Sequence, residues 1–346
     1  LKSDFGKYIV IFLFMTLTIG FVSGFLVADD SMLAAYDEGF EKYNIEHGNF
    51  TLSSKASESD LKKIEKNGKV RICENFYRDE ATDADLDGNE EETMRIYQER
   101  TDMNLVCLMS GGMPAAKNEI AIDRMYADNN KLKVGDKLKI AGEELTVTGL
   151  VALPDYSCLF SDNSDMMFDA VKFGVGIMTE KGADAFGTTH LEYRYSWQYE
   201  TAPKDDIEAK NMSEDFLVKY GNVTGFIPAY SNQAITFTGE DMGGDKAMME
   251  VLLYILIVII AFVFAVTTNN TITKEASVIG TLRASGYSRR ELLFHYTSMP
   301  VIVTVVALLL ETCWATPPLK ISAQVCIMAA TACRPMKHAG MQMHLY

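Results

Sequence analysis

Histidine is scarce in this sequence: there are five in 346 residues, and none lies in the H-E-x-x-H pattern of a zinc-binding helix. No G-x-S-x-G turn presents a nucleophilic serine. No G-x-x-x-x-G-K-[ST] phosphate loop is present, since Gly68-Lys69 is followed by Val70. ATP hydrolysis by that route is excluded, and no motif calls for a cofactor or a metal. Six cysteines form no C-x-x-C pair, which argues against a zinc ribbon or a dithiol redox centre. Basic residues are in the minority, 32 against 47 acidic ones, so the basic footprint of a nucleic-acid binder is missing.

Long uncharged runs are what the chain does contain. Tyr8 to Ala28 is one, with Lys2 and Lys7 just before it. It is long enough to cross a bilayer with its N-terminus inside, and an uncleaved anchor is the favoured reading; a cleaved signal peptide with an unusually long apolar core is the alternative. Gly20 and Gly24 form a G-x-x-x-G in it, a spacing that lets helices approach closely. Val251 to Thr267 is a second run, 17 residues without charge. Thr297 to Leu310 begins a third. The charge imbalance lies between the first two: Asp29 to Lys246 carries 42 Asp/Glu against 23 Lys/Arg, a net of −19, leaving about +4 for the rest. An acidic domain with basic flanks fits an extracytoplasmic domain joined to cytoplasmic loops.

The loop from Asn269 to Tyr296 holds Lys274, Arg283, Arg289 and Arg290, and reads as cytoplasmic. Ile272, Ala276, Ile279 and Arg283 share one helical face, with Val278 and Leu282 beside it. Ser285-Gly286 is a helix stop. Ser288 and Glu291 then form an S-x-x-E capping box ahead of Leu292, Leu293 and Phe294. The pattern predicts a short helix, a glycine turn and a new helix entering the bilayer, with Pro300 placed to kink it.

From Glu275 to Leu292 the run EASVIGTLRASGYSRREL resembles the loop of FtsX-like, MacB-type ABC transporter permeases, in its E-x-x-x-x-G-x-x-R-A-x-G character. In that family the loop is a coupling helix that docks on a separate ATPase. The resemblance implies ATPase coupling for Glu275, Ile279, Gly280, Leu282, Arg283, Gly286 and Arg289. Ile279, Leu282 and Arg283 would touch the ATPase, and Gly280 and Gly286 would allow close approach and the turn. Arg289, Arg290 and Glu291 would set the loop on the membrane surface and cap the next helix.

The acidic region has its own signals. Ser57 to Lys66 reads as a capped helix stopped by Asn67-Gly68, and Val70 to Phe76 as a strand. Asp83, Asp85, Asp87 and Gly88 imitate the start of a calcium loop, but Met94 stands where the bidentate Glu belongs; a solvated hairpin tip is the favoured reading. Glu119–Ile122 reads as a strand, Asp123–Ala127 as a short helix, and Lys137–Ile140 with Glu144–Val151 as a hairpin around Ala141-Gly142. This segment resembles the L-x-V-G-D-x-L-x-I-x-G stretch of the MacB-like outer domain. Nine aromatic residues between Asp155 and Tyr199 are assigned to packing. Asp205 to Lys219 reads as a polar helix, Asn222 to Phe237 as strand-rich, and Gly239 to Lys246 as a flexible acidic link. Cys73, Cys107 and Cys158 are an odd number, so they are either buried thiols or one disulfide and a thiol.

After Leu310 the composition changes abruptly and three of the six cysteines appear. A one-base shift in the back-translated segment permits a reading that extends the apolar run. The expectation is a frameshifted tail over 311–346 on the N-terminal part of a permease; a divergent natural C-terminus is the alternative.

These readings combine into membrane α-helical spans plus an α+β extracytoplasmic domain of the MacB-like core type. The expected order is a first span in 1–28, the outer domain in 29–249 and a second span in 250–268. A coupling loop in 269–296, the start of a third span in 297–310 and the aberrant tail follow. The resemblance implies a multi-pass protein of the bacterial plasma membrane that is not itself an enzyme. Its partners would be an ABC ATPase, a second permease unit or second half, and the lipid bilayer. The implied function is transmission of ATPase motion to the outer domain for export or mechanotransmission. The alternative is a non-transporting signal module that regulates an extracytoplasmic hydrolase or senses a ligand.

Overall fold

The computed structural model describes residues 5–219 and 223–314. The expected tail therefore lies outside the described residues, apart from helical backbone as far as Trp314. The first helix, α1 (Phe5–Lys42), has 38 residues and continues well past the apolar run at Ala28. It is followed by β1 (Gly48–Leu52), α2 (Glu58–Gly68), β2 (Val70–Glu74), β3 (Tyr77–Asp83), β4 (Glu92–Gln98), β5 (Cys107–Gly111), β6 (Glu119–Asp123) and α3 (Arg124–Asn129). Then come β7 (Lys137–Ile140), β8 (Glu143–Ala152), a 3-10 turn at Pro154–Tyr156, β9 (Phe173–Met178), α4 (Glu180–Asp184), β10 (Leu191–Tyr199), α5 (Asp206–Lys219) and β11 (Gly225–Pro228). A second 3-10 turn at Ala229–Ser231 leads into α6 (Gln233–Lys274), α7 (Ala276–Ala284) and α8 (Arg289–Trp314).

The described chain divides into two compact units, and each is taken by itself. One comprises residues up to Ala34 together with those from Asp241 onward. It contains the apolar parts of α1, α6 and α8, the three helices among the described residues long and apolar enough to cross a membrane. Ile11 and Met15 of α1, Ile260 of α6 and Ala307 of α8 form its small buried core. Gly20, Gly24 and Ala28 are all buried at four-residue spacing on α1, so the G-x-x-x-G pattern lies on the packed side of the helix. Lys246 of α6 donates to Asp30 of α1 at 2.6 Å. Outward, Leu17, Tyr254, Val258, Phe262 and Phe294 are each about two-thirds exposed or more, as lipid-facing side chains require.

The other unit, Ala35–Glu240, is α+β. Its strands run β11-β1-β10-β3-β4-β9-β6-β8-β5, with β2 on β10, and β7 on both β3 and β8. Two cores result. The larger, around β4, β6, β8 and β9, contains Met94, Ile96, Ile120, Ile122, Val147, Val175 and Ile177. β9 (FGVGIM) is buried along its full length, paired parallel to β4 and antiparallel to β6. A Cβ on Gly174 would lie 2.7 Å from the Tyr126 ring, which explains glycine in a central strand. The smaller core packs Phe50, Tyr195, Trp197 and Phe216 with α2 and α5. The 155–199 aromatics are divided between the two, so the packing expectation holds.

Local chemistry explains the elements. Ser57 caps α2 by accepting from the Asp60 amide. The helix runs through Gly68, and it is Lys69, at φ 51, that takes the left-handed position. Asp123 caps α3, accepting from Met125 and Tyr126. Ala141 (φ 49) and Gly142 (φ 81) make the two-residue turn between β7 and β8. The acidic tip lies between β3 and β4 as expected. Asp83, Asp85 and Asp87 approach one another there. Their carboxylates accept amides of Asp87, Gly88 and Asn89, and Met94 is fully buried in β4. The three described thiols, Cys73, Cys107 and Cys158, are not disulfide-bonded.

Two expectations fail between 222 and 246. The described part of the strand-rich segment contains only β11, and the flexible link is instead the first turns of α6. Asn232 accepts the Ala234 amide at the start of that helix. Ser157 donates to the carbonyls of Ala234 and Ile235, and Tyr36 donates to Ile235 at 2.7 Å. Gly239, read as a loop residue, is where α6 passes so close to the Tyr36 ring that a Cβ would meet it at 2.7 Å. Tertiary contacts here override a glycine-rich composition.

Candidate functional site

The candidate site is the helix–turn–helix between the two later apolar helices. α6 ends at Lys274. Glu275, at φ −97 and ψ 11, interrupts the helical geometry, and α7 restarts immediately with the Ile279 amide on the Glu275 carbonyl at 2.9 Å. The Glu275 carboxylate accepts the Tyr296 hydroxyl at 2.6 Å, tying the break to α8 within this unit.

α7 ends in a Schellman motif. The Tyr287 amide donates to the Leu282 carbonyl at 3.2 Å and the Gly286 amide to the Arg283 carbonyl at 3.2 Å. Gly286, at φ +99, supplies the left-handed residue between them. The capping box follows: Ser288 Oγ accepts the Glu291 amide at 3.3 Å, and Glu291 Oε2 accepts the Ser288 amide at 2.8 Å. Both turns follow the sequence signals. Pro300 lies inside α8.

No residue of α7 is buried. Gly280 and Arg283 are open to solvent, as are Gly286 and Arg289 in the turn and the next helix. Ile279, Leu282 and Glu275 are half-buried. Val278, at 53% exposure, is the most exposed large apolar side chain of α7. Tyr296 is the residue the sequence reading left without a role. Its place one span-entry turn beyond the capping box was the available signal, but nothing in one sequence ties it to Glu275.

An apolar helix, an exposed basic helical loop and a second apolar helix, preceded in the chain by a first apolar helix and a large α+β unit, form the pattern of a multi-pass membrane protein. Residues 250–310 match the FtsX-like permease C-terminal family model. The match covers the apolar part of α6, α7 and α8 as far as Leu310, a segment with two of the three described helices long and apolar enough to cross a membrane. No curated protein matches the chain. Among solved structures, one similar chain is the extracellular domain of the noncanonic ABC-type transporter YknZ from Gram-positive bacteria. It is 12% identical over 51% of this chain and 98% of that one, with a TM-score of 0.29. Another is the periplasmic region of MacB from Actinobacillus actinomycetemcomitans, 9% identical over 50% of this chain and 83% of that one, with a TM-score of 0.30.

Proposed function

We propose that the chain is the membrane subunit of an ABC transporter whose ATP is hydrolysed by a separate ATPase, and that α7 is the surface on which that ATPase docks. The observation that carries this is a nine-residue helix with three large apolar side chains, Val278, Ile279 and Leu282, and no buried residue. An apolar stripe at a cytoplasmic loop, flanked by Arg283, Arg289 and Arg290, suits an acidic-rimmed groove on a soluble partner. Glu275, Ile279, Gly280, Leu282, Arg283, Gly286 and Arg289 are the residues assigned to coupling. In this reading ATPase closure pushes α7, and α1 and α6 carry the motion to the outer unit, for export or for a mechanical signal. A second permease unit, or a second half, completes the assembly.

The test is affinity purification of the full-length protein from its native membrane, with mass spectrometry of what comes with it. An ABC ATPase is expected. Alanine at Val278, Ile279 and Leu282 together should reduce its recovery at least tenfold, while the permease stays in the membrane fraction. Undiminished recovery in that variant would place docking elsewhere. A hydrolase in place of transport partners would favour the signalling version.

A further inference from the structure

Within the larger unit, three guanidinium groups gather beside a cavity of about 60 Å³. Two of them have a carboxylate. Arg100 Nη1 holds both oxygens of Asp155, at 2.9 and 2.8 Å. Arg95 turns the edge made by Nε and Nη2 to Asp79, at 2.7 and 2.6 Å. Arg194, on β10, is different. Its Nη1 donates to the hydroxyls of Tyr97 (3.1 Å) and Tyr156 (3.3 Å), and its guanidinium lies 4.2 Å from the centre of the Tyr77 ring. Its Nε is buried and donates to nothing among the described residues, and both of the group's hydrogen bonds come from Nη1.

That unused edge is the one a carboxylate takes in a bidentate pair. The ring beneath satisfies the charge in part but cannot accept in-plane N–H groups. Arg100 also leaves Nε and Nη2 unpaired, yet its charge is met by Asp155. Arg194 is the member of the cluster that makes no hydrogen bond to a carboxylate; Asp162, which also lines the cavity, acts on it and on Arg95 at longer range. The positive field is strong: burial pushes the Tyr156 phenol up, but Arg95 and Arg194 outweigh it and hold it below the ordinary tyrosine value.

We propose that Arg194 anchors a carboxylate-binding site in the extracytoplasmic unit. The cavity is lined by Asn49, Asn75, Asn163 and Ser161 as well as Arg95 and Arg194, so the head group meets polar walls. Its volume leaves room for a carboxylate head group. Glu46, Asp155 and Asp162 line it too, with Asp155 paired to Arg100, and the region from 29 to 246 is strongly acidic. That field opposes a phosphate dianion more strongly than a monoanion, which the free edge of Arg194 can still pair. Two sources share this chemistry: a small free carboxylate, and the C-terminus of a peptide. The site is independent of how α7 engages an ATPase.

The experiment measures the thermal midpoint of the full chain in detergent, in 100 mM sodium acetate against 100 mM sodium chloride. A ligand that binds only the folded state raises the midpoint. Acetate should raise it by about 2 °C or more in the wild type. Acetate's general effect as a salt is common to all variants. Arg194→Lys keeps the charge and loses the fork, and should lose at least half of the shift. Asn163→Asp adds a negative charge to the lining and should lose it as well; this variant decides the matter if Arg194→Lys does not fold. No acetate-specific shift in the wild type, or a full shift in the folded variants, overturns the site. The source follows from N-acetyl-Gly-Gly-Gly with a free or an amidated C-terminus. A larger shift from the free acid than from acetate assigns a peptide end, and a smaller one assigns a small free carboxylate.

Discussion

Asp123 shows how one side chain can serve two opposed demands. It is almost fully buried, yet its carboxylate accepts the amides of Met125 (2.7 Å) and Tyr126 (3.2 Å) at the start of α3. Burial dominates and raises its pKa to about 7, although the two amides pull it down. An unfolded aspartate ionises near 3.9. Between those values the folded chain keeps a proton that the unfolded chain has released, so this group's contribution to stability falls as pH rises from about 4 to about 7. Asparagine caps as well as aspartate and cannot ionise. Asp123→Asn should therefore leave the midpoint near pH 4 almost unchanged and raise it by a few degrees at pH 8, as read by thermal melts of the detergent-solubilised chain. An equal pH dependence in both proteins would locate the titration elsewhere. Tyr296 belongs to the same scale. Tyr296→Phe removes its hydroxyl's bond to Glu275, a charge-assisted bond of the kind worth about 1.5–3 kcal/mol. Amide exchange at 275–279 should quicken several-fold, and exchange unchanged from the wild type would show that the bond does not hold the break.

At the scale of elements, α7 and its turn are short and therefore depend on their ends. Gly286→Ala forces an L-residue into φ +99, and should loosen the Schellman turn by about 1–2 kcal/mol. Gly286→Asn should cost less, because asparagine tolerates that region. Hydrogen exchange at the Gly286 and Tyr287 amides reads the difference, and equal protection in the alanine variant would remove the turn from the argument. This stretch was legible because it is built from local rules: Gly286 stops, Ser288 and Glu291 start, and no distant residue is needed. The segment from β6 to β8 was legible for the same reason, through Asp123, Asn130 and the Ala141-Gly142 turn. The opening of α6 was not. Gly239, Gly243 and Gly244 read as a linker, and the helix forms there because Tyr36 and Ser157, far off in sequence, hold its first turns. Nor was the Arg194 cavity legible. Its residues come from β1, β3, β4, β10, β11, the start of α6 and the loops around them, and only the tertiary fold brings them together.

At the scale of the whole molecule, charge sets orientation. Residues 29–246 carry a net of −19 and the remainder about +4, with Lys274, Arg283, Arg289 and Arg290 gathered between α6 and α8. Loops rich in Lys and Arg stay in the cytoplasm, and acidic residues contribute little to that choice. The segment from Glu275 to Ser288 should then face the cytoplasm and the β3–β4 tip should face outward. Asn89 on that tip and Ser277 on α7 are both exposed, so either can carry a reporter without disturbing a core. With the native cysteines changed to serine, Asn89→Cys should react with a membrane-impermeant maleimide in intact cells. Ser277→Cys should react only after the membrane is opened. The reverse pattern would invert the protein and detach α7 from any cytoplasmic ATPase. Reaction of both in intact cells would mean that α6 does not cross the membrane.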